Sequence, residues 1–296
     1  MKKSAPILVI FAGIFWGVMG VFVRTWGEYG FDSMKVCAIR LVTAVILLWG
    51  VLLVTGKIRT RVKLRDLPLL ACTGLISVFS MSALYLATIE GTSLSVAAIL
   101  LYLSPVMVML MSAMFLKERI TRRKLIALVL AVAGCVFVAG LGADTRVSLW
   151  GLVTGVGSAI AYGSYSILGT FALRKYEPLV VTTYAFTFAA IGAVIAAGPM
   201  ELAGLFQSCP LTVGQMVGLS FATGAVSAAI PFLLYTLGLQ HMEASHAAII
   251  VCTEPLVAAL CGAVVYHEHL FILQITGILL ILAAIILLNI KKKERV

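Results

Sequence analysis

Ten long apolar segments, separated by short polar connections, constrain this chain more than any other feature of its sequence. A helix needs about 20 apolar residues to cross the hydrocarbon core of a bilayer, and each segment is close to that length. The pattern predicts an all-α membrane protein of ten transmembrane helices. The segments are Pro6–Val23, Met34–Val54, Leu67–Ala87, Ser95–Leu116, Leu125–Leu141, Leu149–Leu173, Leu179–Pro199, Val213–Leu239, Ala247–Tyr266 and Ile272–Ile290.

Composition excludes a soluble protein. Hydrophobic residues make up 62% of the chain and charged residues 11%, whereas a soluble domain carries about 25% charged residues. No polar stretch is long enough for a separate soluble domain. Walker A, HExxH and GxSxG motifs are also absent from the sequence. We therefore predict a protein that is not an enzyme and that carries no cofactor and no metal.

The basic residues predict the orientation in the membrane. The net charge is +10, and most of the 22 Lys and Arg residues precede the first segment, follow segments two, four and six, or follow the last segment. Loops rich in Lys and Arg stay in the cytoplasm. Both termini are therefore expected in the cytoplasm of a multi-pass cell-membrane protein. Because the charge follows the loops, we predict the lipid bilayer as a partner and no nucleic acid.

An internal repeat relates the two halves of the chain, which we divide into residues 1–141 and 142–296. Each half holds five segments, and an odd number of crossings inverts the second half relative to the first. Inverted repeats are typical of transporters whose substrate site lies near the bilayer midplane. A shift of 150 residues superimposes Tyr85 on Tyr235, Ser95 on Ser245, Pro105 on Pro255 and Glu118 on Glu268.

Several short motifs in this order resemble one known family. They are Ala38-Ile39-Arg40-Leu41, the run from Ser95 to Pro105, Phe115-Leu116-Lys117-Glu118-Arg119, the run from Glu254 to Leu260, and His267-Glu268. The chain is similar to the ten-span EamA type of the drug/metabolite transporter superfamily. The resemblance covers the whole chain, and it implies two five-helix EamA repeats and transport of small metabolites, often amino acids and often outward, without an ATP-binding domain.

Glu254 is the strongest candidate for a substrate-binding residue. It lies about eight residues into the ninth segment, or roughly 12 Å deep at 1.5 Å per residue. A carboxylate at that depth costs about 3 kcal/mol unless it faces water or a partner. We expect it to face the interior of the helix bundle. It would then contact a substrate amine, act as a proton-linked switch, or form a structural hydrogen bond beside Pro255.

Five aromatic residues and two prolines complete the predicted site. Proline removes an amide donor and kinks a helix, so Pro105 and Pro255 are predicted as gating hinges, with a static kink as the alternative. The resemblance to the family implies that aromatic side chains line a central cavity, although packing is the commoner role of an aromatic residue in a span. The aromatic residues are Trp16, Tyr85, Tyr102, Tyr162 and Tyr235.

Two further charged residues are predicted to form charge pairs. Arg40 lies inside the second segment and cannot lose its charge, so it must snorkel to the interface or pair. Asp32, Glu90 and a substrate carboxylate are its candidate partners, and Glu90 itself lies at the outer end of the third segment. Three small-residue faces predict close helix packing, namely Gly13-x-x-x-Gly17, Gly151-x-x-x-Gly155 and Gly214-x-x-x-Gly218.

These features together predict a secondary transporter that works by alternating access on a small-molecule substrate. An exporter of amino acids or related metabolites is the first hypothesis, with coupling to protons or to a counter-substrate. A multidrug-type exporter of hydrophobic cations is the alternative, and Glu254 would then bind the cation. A membrane-embedded lipid enzyme would need a cluster of catalytic polar groups near one interface, and the sequence contains only scattered ones. The oligomeric state is left open.

Overall fold

The computed structural model describes residues 4–57, 62–140 and 148–290. Part of the sequence-based prediction lies outside these residues. That part comprises Lys2 and Lys3, the bases Arg59 and Arg61, Arg146, the C-terminal bases from Lys291 to Arg295, and the predicted boundary between the halves at residues 141 and 142.

Eleven helices account for the regular structure of the described residues, and ten of them correspond to the ten predicted segments. Most ends agree with the prediction within a few residues, but α1 continues to Glu28, beyond the predicted end at Val23. The helices are α1 (Ala5–Glu28), α2 (Ser33–Val54), α3 (Leu64–Gly91), α4 (Leu94–Leu116), α5 (Arg122–Ala139), α6 (Leu149–Leu173), α7 (Pro178–Ala197), α8 (Pro199–Ser208), α9 (Val213–Leu239), α10 (Ala244–Val265) and α11 (Ile272–Asn289).

Nine helices of the described chain are long and apolar enough to cross a membrane. The helix α5 is not among them, although it corresponds to the fifth predicted segment. It has 18 residues, and it begins with Arg122, Arg123 and Lys124. The basic first turn thus leaves a short apolar stretch, which packs against α11.

The short helix α8 was not predicted. It has 10 residues, about half the length needed to cross a membrane, and none of them is buried. Its Phe206 packs against Phe31 and Trp26, with ring centroids 5.2 and 6.1 Å apart respectively. This helix therefore covers an aromatic cluster at one end of the bundle.

Three helices of the described chain carry π-helical turns. The turn at Ser112–Leu116 ends α4, and the two in α3 and α9 overlap after a shift of 150 residues. These two occupy Thr73–Phe79 in α3 and Ala225–Ala229 in α9. Gly74 lies within the turn in α3 and Gly224 directly precedes the turn in α9, and another helix packs tightly against each glycine. A methyl group on Gly74 would lie 2.0 Å from the carbonyl oxygen of Ala185, and one on Gly224 would lie 2.0 Å from Oγ1 of Thr43.

Three helices are interrupted near their middles. The first breaks at Val18, between Ala5–Gly17 and Met19–Glu28. The break in α4 separates Leu94–Leu101 from a second piece that starts at Ser104, and the break in α10 separates Ala244–Ile250 from Thr253–Val265. Interrupted helices expose backbone groups in the middle of the bundle.

Ion pairs and hydrogen bonds between connections identify the two ends of the bundle. At one end, Lys57 pairs with Glu177, Lys175 pairs with Asp66, and Arg123 donates to the backbone at the end of α11. We call this the basic end. At the opposite end, Arg24 pairs with Glu268 and the Ser148 hydroxyl donates to the carbonyl of Gly91 at 2.8 Å.

Candidate functional site

Two adjoining cavities lie in the middle of the bundle, where α4 and α10 are interrupted. The larger has about 400 Å³ of empty volume and the smaller about 270 Å³, and both are partly open; Ser104, Tyr162 and Val251 line both. Five of the 13 residues that line the larger cavity are aromatic. Besides the three shared residues, it is lined by Trp16, Ser77, Val78, Met81, Val108, Tyr165, Ser166, Phe232, Tyr235 and Ala248.

Glu254 lines the smaller cavity. It lies in the first turn of the second piece of α10, directly before Pro255. The hydroxyl of Tyr162 donates to its Oε2 at 3.1 Å. This hydrogen bond joins a carboxylate on α10 to a phenol on α6, so a polar contact links the two helices at the cavity.

Small residues on α1 place that helix against the Glu254 segment. A methyl group on Gly13 would lie 2.0 Å from Oγ1 of Thr253, and one on Gly17 would lie 2.7 Å from the carbonyl oxygen of Glu254. The predicted close approach at this glycine face is confirmed, as it is for Gly151 and Gly155, which pack against α3 and α4. The face of Gly214 and Gly218 has no heavy atom of the described residues within 4 Å, so that packing prediction was wrong.

An aromatic wall forms one side of the larger cavity. Trp16 lies at its centre, with ring centroids 4.8 Å from Phe232, 5.5 Å from Tyr235 and 6.3 Å from Tyr162. The hydroxyl of Tyr235 is 2.7 Å from Oγ of Ser166. Its ring therefore faces the cavity while its polar atom is satisfied within the protein.

Of the remaining predicted aromatic residues, one lines a cavity and one does not. Tyr102 lines the smaller cavity beside Glu254. Tyr85 is half-buried on α3 and does not line either cavity, whereas Tyr235, which superimposes on it in the sequence, lines the larger one. The two sequence-equivalent tyrosines thus occupy unlike environments in this structure.

Both predicted hinge prolines lie at helix breaks. Pro105 is in the first turn of the second piece of α4, and Pro255 is in the first turn of the second piece of α10. Both also line the smaller cavity. The two breaks therefore meet at the same place, next to Glu254.

The predicted charge pairs are not formed in this structure. Arg40 is 4% exposed, its Nη1 contacts the sulfur of Met19, and its Nε has no partner among the described residues. Asp32 instead accepts from the backbone N–H of Lys35 at 2.9 Å and caps α2. Glu90 is exposed at the end of α3 and forms no ion pair within the described chain.

Sequence reasoning missed several residues that line the cavities. Ser104 precedes Pro105 as Glu254 precedes Pro255, so the repeat contained a signal for it. Ser166, Tyr165 and Phe232 lie in ordinary apolar runs, and no sequence pattern distinguishes them from packing residues. Their place at the cavity depends on how α6 and α9 pack.

Comparisons with known proteins agree on the class of the molecule. The model of the EamA-like transporter family matches residues 3–140 and 149–290. An uncharacterised transporter of Archaeoglobus fulgidus is 27% identical over 279 residues, covering 94% of both chains. The threonine/homoserine exporter RhtA of Salmonella typhimurium is 28% identical over 213 residues, which is 71% of this chain and 67% of the exporter.

The fold also occurs in solved structures. A protein crystal structure superimposes with a TM-score of 0.80 over 98% of this chain and 97% of that chain, at 17% sequence identity.

Proposed function

Because the chain belongs to the EamA-like transporter family, we propose that it is a secondary transporter that moves a small metabolite by alternating access. The chain is a multi-pass protein of the cell membrane, and its relatives are transporters. The observation that carries the proposal is the hydrogen bond between Tyr162 and Glu254 at the meeting point of two interrupted helices. A carboxylate in a cavity at such breaks suits binding and release of a polar solute.

The finer topology of the proposal is ten spans in two inverted repeats, with α5 as the tenth span and the basic end in the cytoplasm. Matching turns after α4 and α10 support it. Lys117 and His267, 150 residues apart, are the non-glycine residues with positive φ in the described chain, at 58° and 55°. The next residues, Glu118 and Glu268, donate equivalent backbone bonds to Ser112 and Gly262, at opposite ends of the bundle.

The proposed substrate is an amino acid or a related metabolite, and the proposed direction is outward. The match to a threonine/homoserine exporter supports this class. The cavity chemistry agrees with it, because Glu254 can bind an ammonium group while the hydroxyls of Ser104 and Ser166 can bind a polar side chain. No catalytic step is part of this proposal.

Export of hydrophobic cations is the second candidate, and the aromatic wall favours it. Aromatic faces attract cations within about 6 Å of the ring centroid. Trp16 and Tyr235 line the larger cavity, and Tyr162 also lines the adjoining cavity that holds Glu254. This arrangement suits a lipophilic cation as well as an amine.

Counterflow in liposomes tests the proposal and separates the two candidates. Purified protein is reconstituted with unlabelled threonine, homoserine or other amino acids inside, and uptake of the same labelled compound is followed. We expect labelled amino acid to accumulate, and unlabelled amino acids to compete better than tetraphenylphosphonium. Stronger competition by tetraphenylphosphonium would favour the cation exporter, and absence of counterflow with every compound would overturn the transport proposal.

A further inference from the structure

Two equivalent glutamates that the proposed binding site does not use differ sharply in their surroundings. Glu118 follows α4 at the basic end, and Glu268 follows α10 at the opposite end. Each follows a residue in the left-handed conformation and donates a backbone bond to the residue six positions earlier. The two main chains are therefore alike, and only the side chains take different partners.

The side chain of Glu118 is docked onto the start of α10. It accepts from the backbone N–H of Ala244 at 2.7 Å and of Ser245 at 3.2 Å, and the Ser245 hydroxyl also donates to it. Nζ of Lys124 lies 3.5 Å from the carboxylate. The first N–H groups of a helix have no carbonyl partner within the helix, so a carboxylate there forms charge-assisted hydrogen bonds.

This contact closes the basic end between the end of α4 and the start of α10. The Glu118 side chain is only 10% exposed, and Ala244 and Ser245 are each 1% exposed. Nζ of Lys124 also donates to Oγ of Ser245 at 2.7 Å, so the contact is a small network rather than one bond.

The side chain of Glu268 is undocked. It is 51% exposed and accepts from Nη1 of Arg24 at 2.8 Å, while the guanidinium of Arg24 stacks 4.2 Å from the ring centroid of Tyr266. An exposed ion pair of this kind adds little to stability, so the carboxylate can leave it at small cost.

The equivalent docking surface for Glu268 is the start of α4. A shift of 150 residues places Leu94 on Ala244 and Ser95 on Ser245. Leu94 is 63% exposed and Ser95 is half-buried, whereas their counterparts are fully buried. At the start of α4 the hydroxyl of Ser93 accepts from the N–H of Val96, whereas no carboxylate of the described residues covers the N–H groups of Leu94 and Ser95 or the Ser95 hydroxyl.

We propose that Glu118 and Glu268 are alternating latches that hold the two gates of the transporter. In this structure the Glu118 latch closes the basic end. In the other state Glu268 leaves Arg24 and binds the N–H groups of Leu94 and Ser95 and the Ser95 hydroxyl, while Glu118 releases Ala244 and Ser245. This inference rests on the proposed alternating-access function, and it names the contacts that exchange.

Spin-label distances test the latches without a substrate. In a variant without native cysteines, Glu90→Cys and His269→Cys report the width of the opposite end, and Arg119→Cys and Gln240→Cys report the basic end. All four positions are exposed. Pulsed electron paramagnetic resonance on protein in nanodiscs gives the population of each state.

We expect Glu118→Gln to lengthen the basic-end distance and shorten the opposite one, with a population shift of about tenfold, because hydrogen bonds to charged groups are the stronger ones. Glu268→Gln is expected to shift the populations the other way. Glu28→Gln, an exposed glutamate at the opposite end, is the control and should change neither distance. If a glutamate variant does not fold, Ser245→Ala takes the place of Glu118→Gln and Ser95→Ala takes the place of Glu268→Gln in the same two distance measurements.

Unchanged distances in the Glu118 and Glu268 variants, or shifts of both in the same direction, would overturn the latch. Counterflow on the same proteins separates this failure from failure of the proposed function. Transport with unresponsive distances would reject the latch alone. Responsive distances without transport of any compound would leave the latch supported and reject the transport proposal.

Discussion

At the scale of single residues, Glu254 combines depth in the membrane with access to a cavity. Its position in the ninth apolar segment could be read from the sequence, because a carboxylate interrupts an otherwise apolar run. Its hydrogen-bond partner could not, since Tyr162 is 92 residues away and lies in an ordinary apolar helix. The sequence thus pointed to the carboxylate, and only the packing of α6 against α10 revealed what binds it.

The charge of Glu254 is predicted to be essential for transport. Glu254→Gln preserves the shape of the side chain and its capacity to accept from Tyr162, but it removes the negative charge. We expect counterflow to fall at least about tenfold, as loss of one interaction with a charged group would cause, while the melting temperature stays close to that of the wild type. Glu90→Gln, at an exposed position, is the control. Equal rates in the two variants would assign Glu254 a structural role.

The hydroxyl of Tyr162 is predicted to position Glu254. Tyr162→Phe keeps the ring in the aromatic wall and removes one hydrogen bond, worth about 0.5–1.5 kcal/mol. We expect the substrate concentration for half-maximal counterflow to rise about two- to tenfold. Tyr165→Phe is the matched control, because that hydroxyl bonds to Thr236 at 2.8 Å and not to Glu254. A larger effect of the control variant would contradict the prediction.

At the scale of helices, the irregular features are the three interruptions and the π turns, and only some of them could be predicted from the sequence. The breaks in α4 and α10 follow from proline chemistry and were predicted from Pro105 and Pro255. The break in α1 at Val18 and the π turn of α3 have no proline in or next to them, whereas Pro231 follows the π turn of α9 by two residues. The break in α1 and the π turn of α3 lie at Gly17 and Gly74, where a neighbouring helix approaches closely.

The glycine at the π turn of α3 is predicted to be required for packing. In Gly74→Ala the new methyl group meets the main-chain oxygen of Ala185, which cannot move aside as a side chain can. We expect destabilisation of about 1–3 kcal/mol, typical of an overpacked interior, measured by thermal unfolding in detergent. The control Gly50→Ala has no neighbouring atom within 4 Å and should unfold at the same temperature or higher. Equal melting temperatures would disprove the tight contact.

At the scale of the whole molecule, the distribution of charge predicts the orientation in the membrane. Among the residues that the structure describes, the basic residues in the predicted cytoplasmic connections include Lys57, Lys117 and Lys175. Cys209 follows α8 at the opposite end of the bundle. Because positive loops stay in the cytoplasm, the end that carries Cys209 should face outward.

Labelling of intact cells with a membrane-impermeant maleimide tests this orientation. A variant that keeps Cys209 as its only cysteine should be labelled from outside. A variant in which exposed Thr55→Cys supplies the only cysteine should be labelled only after the cells are broken. The reverse pattern would contradict the proposed orientation.

The sequence by itself determined that this is a helical membrane protein and a member of a transporter family, because apolar runs of bilayer length and ordered motifs are properties of the linear chain. It also located Glu254 and the two prolines at the middle of their helices. Only the tertiary structure decided which side chains meet. Tyr162 contacts Glu254, Arg40 contacts Met19 rather than a carboxylate, and Glu118 and Glu268 take different partners. The physical reason is that these contacts join helices far apart in sequence, and their energies depend on packing and burial, which no local pattern records.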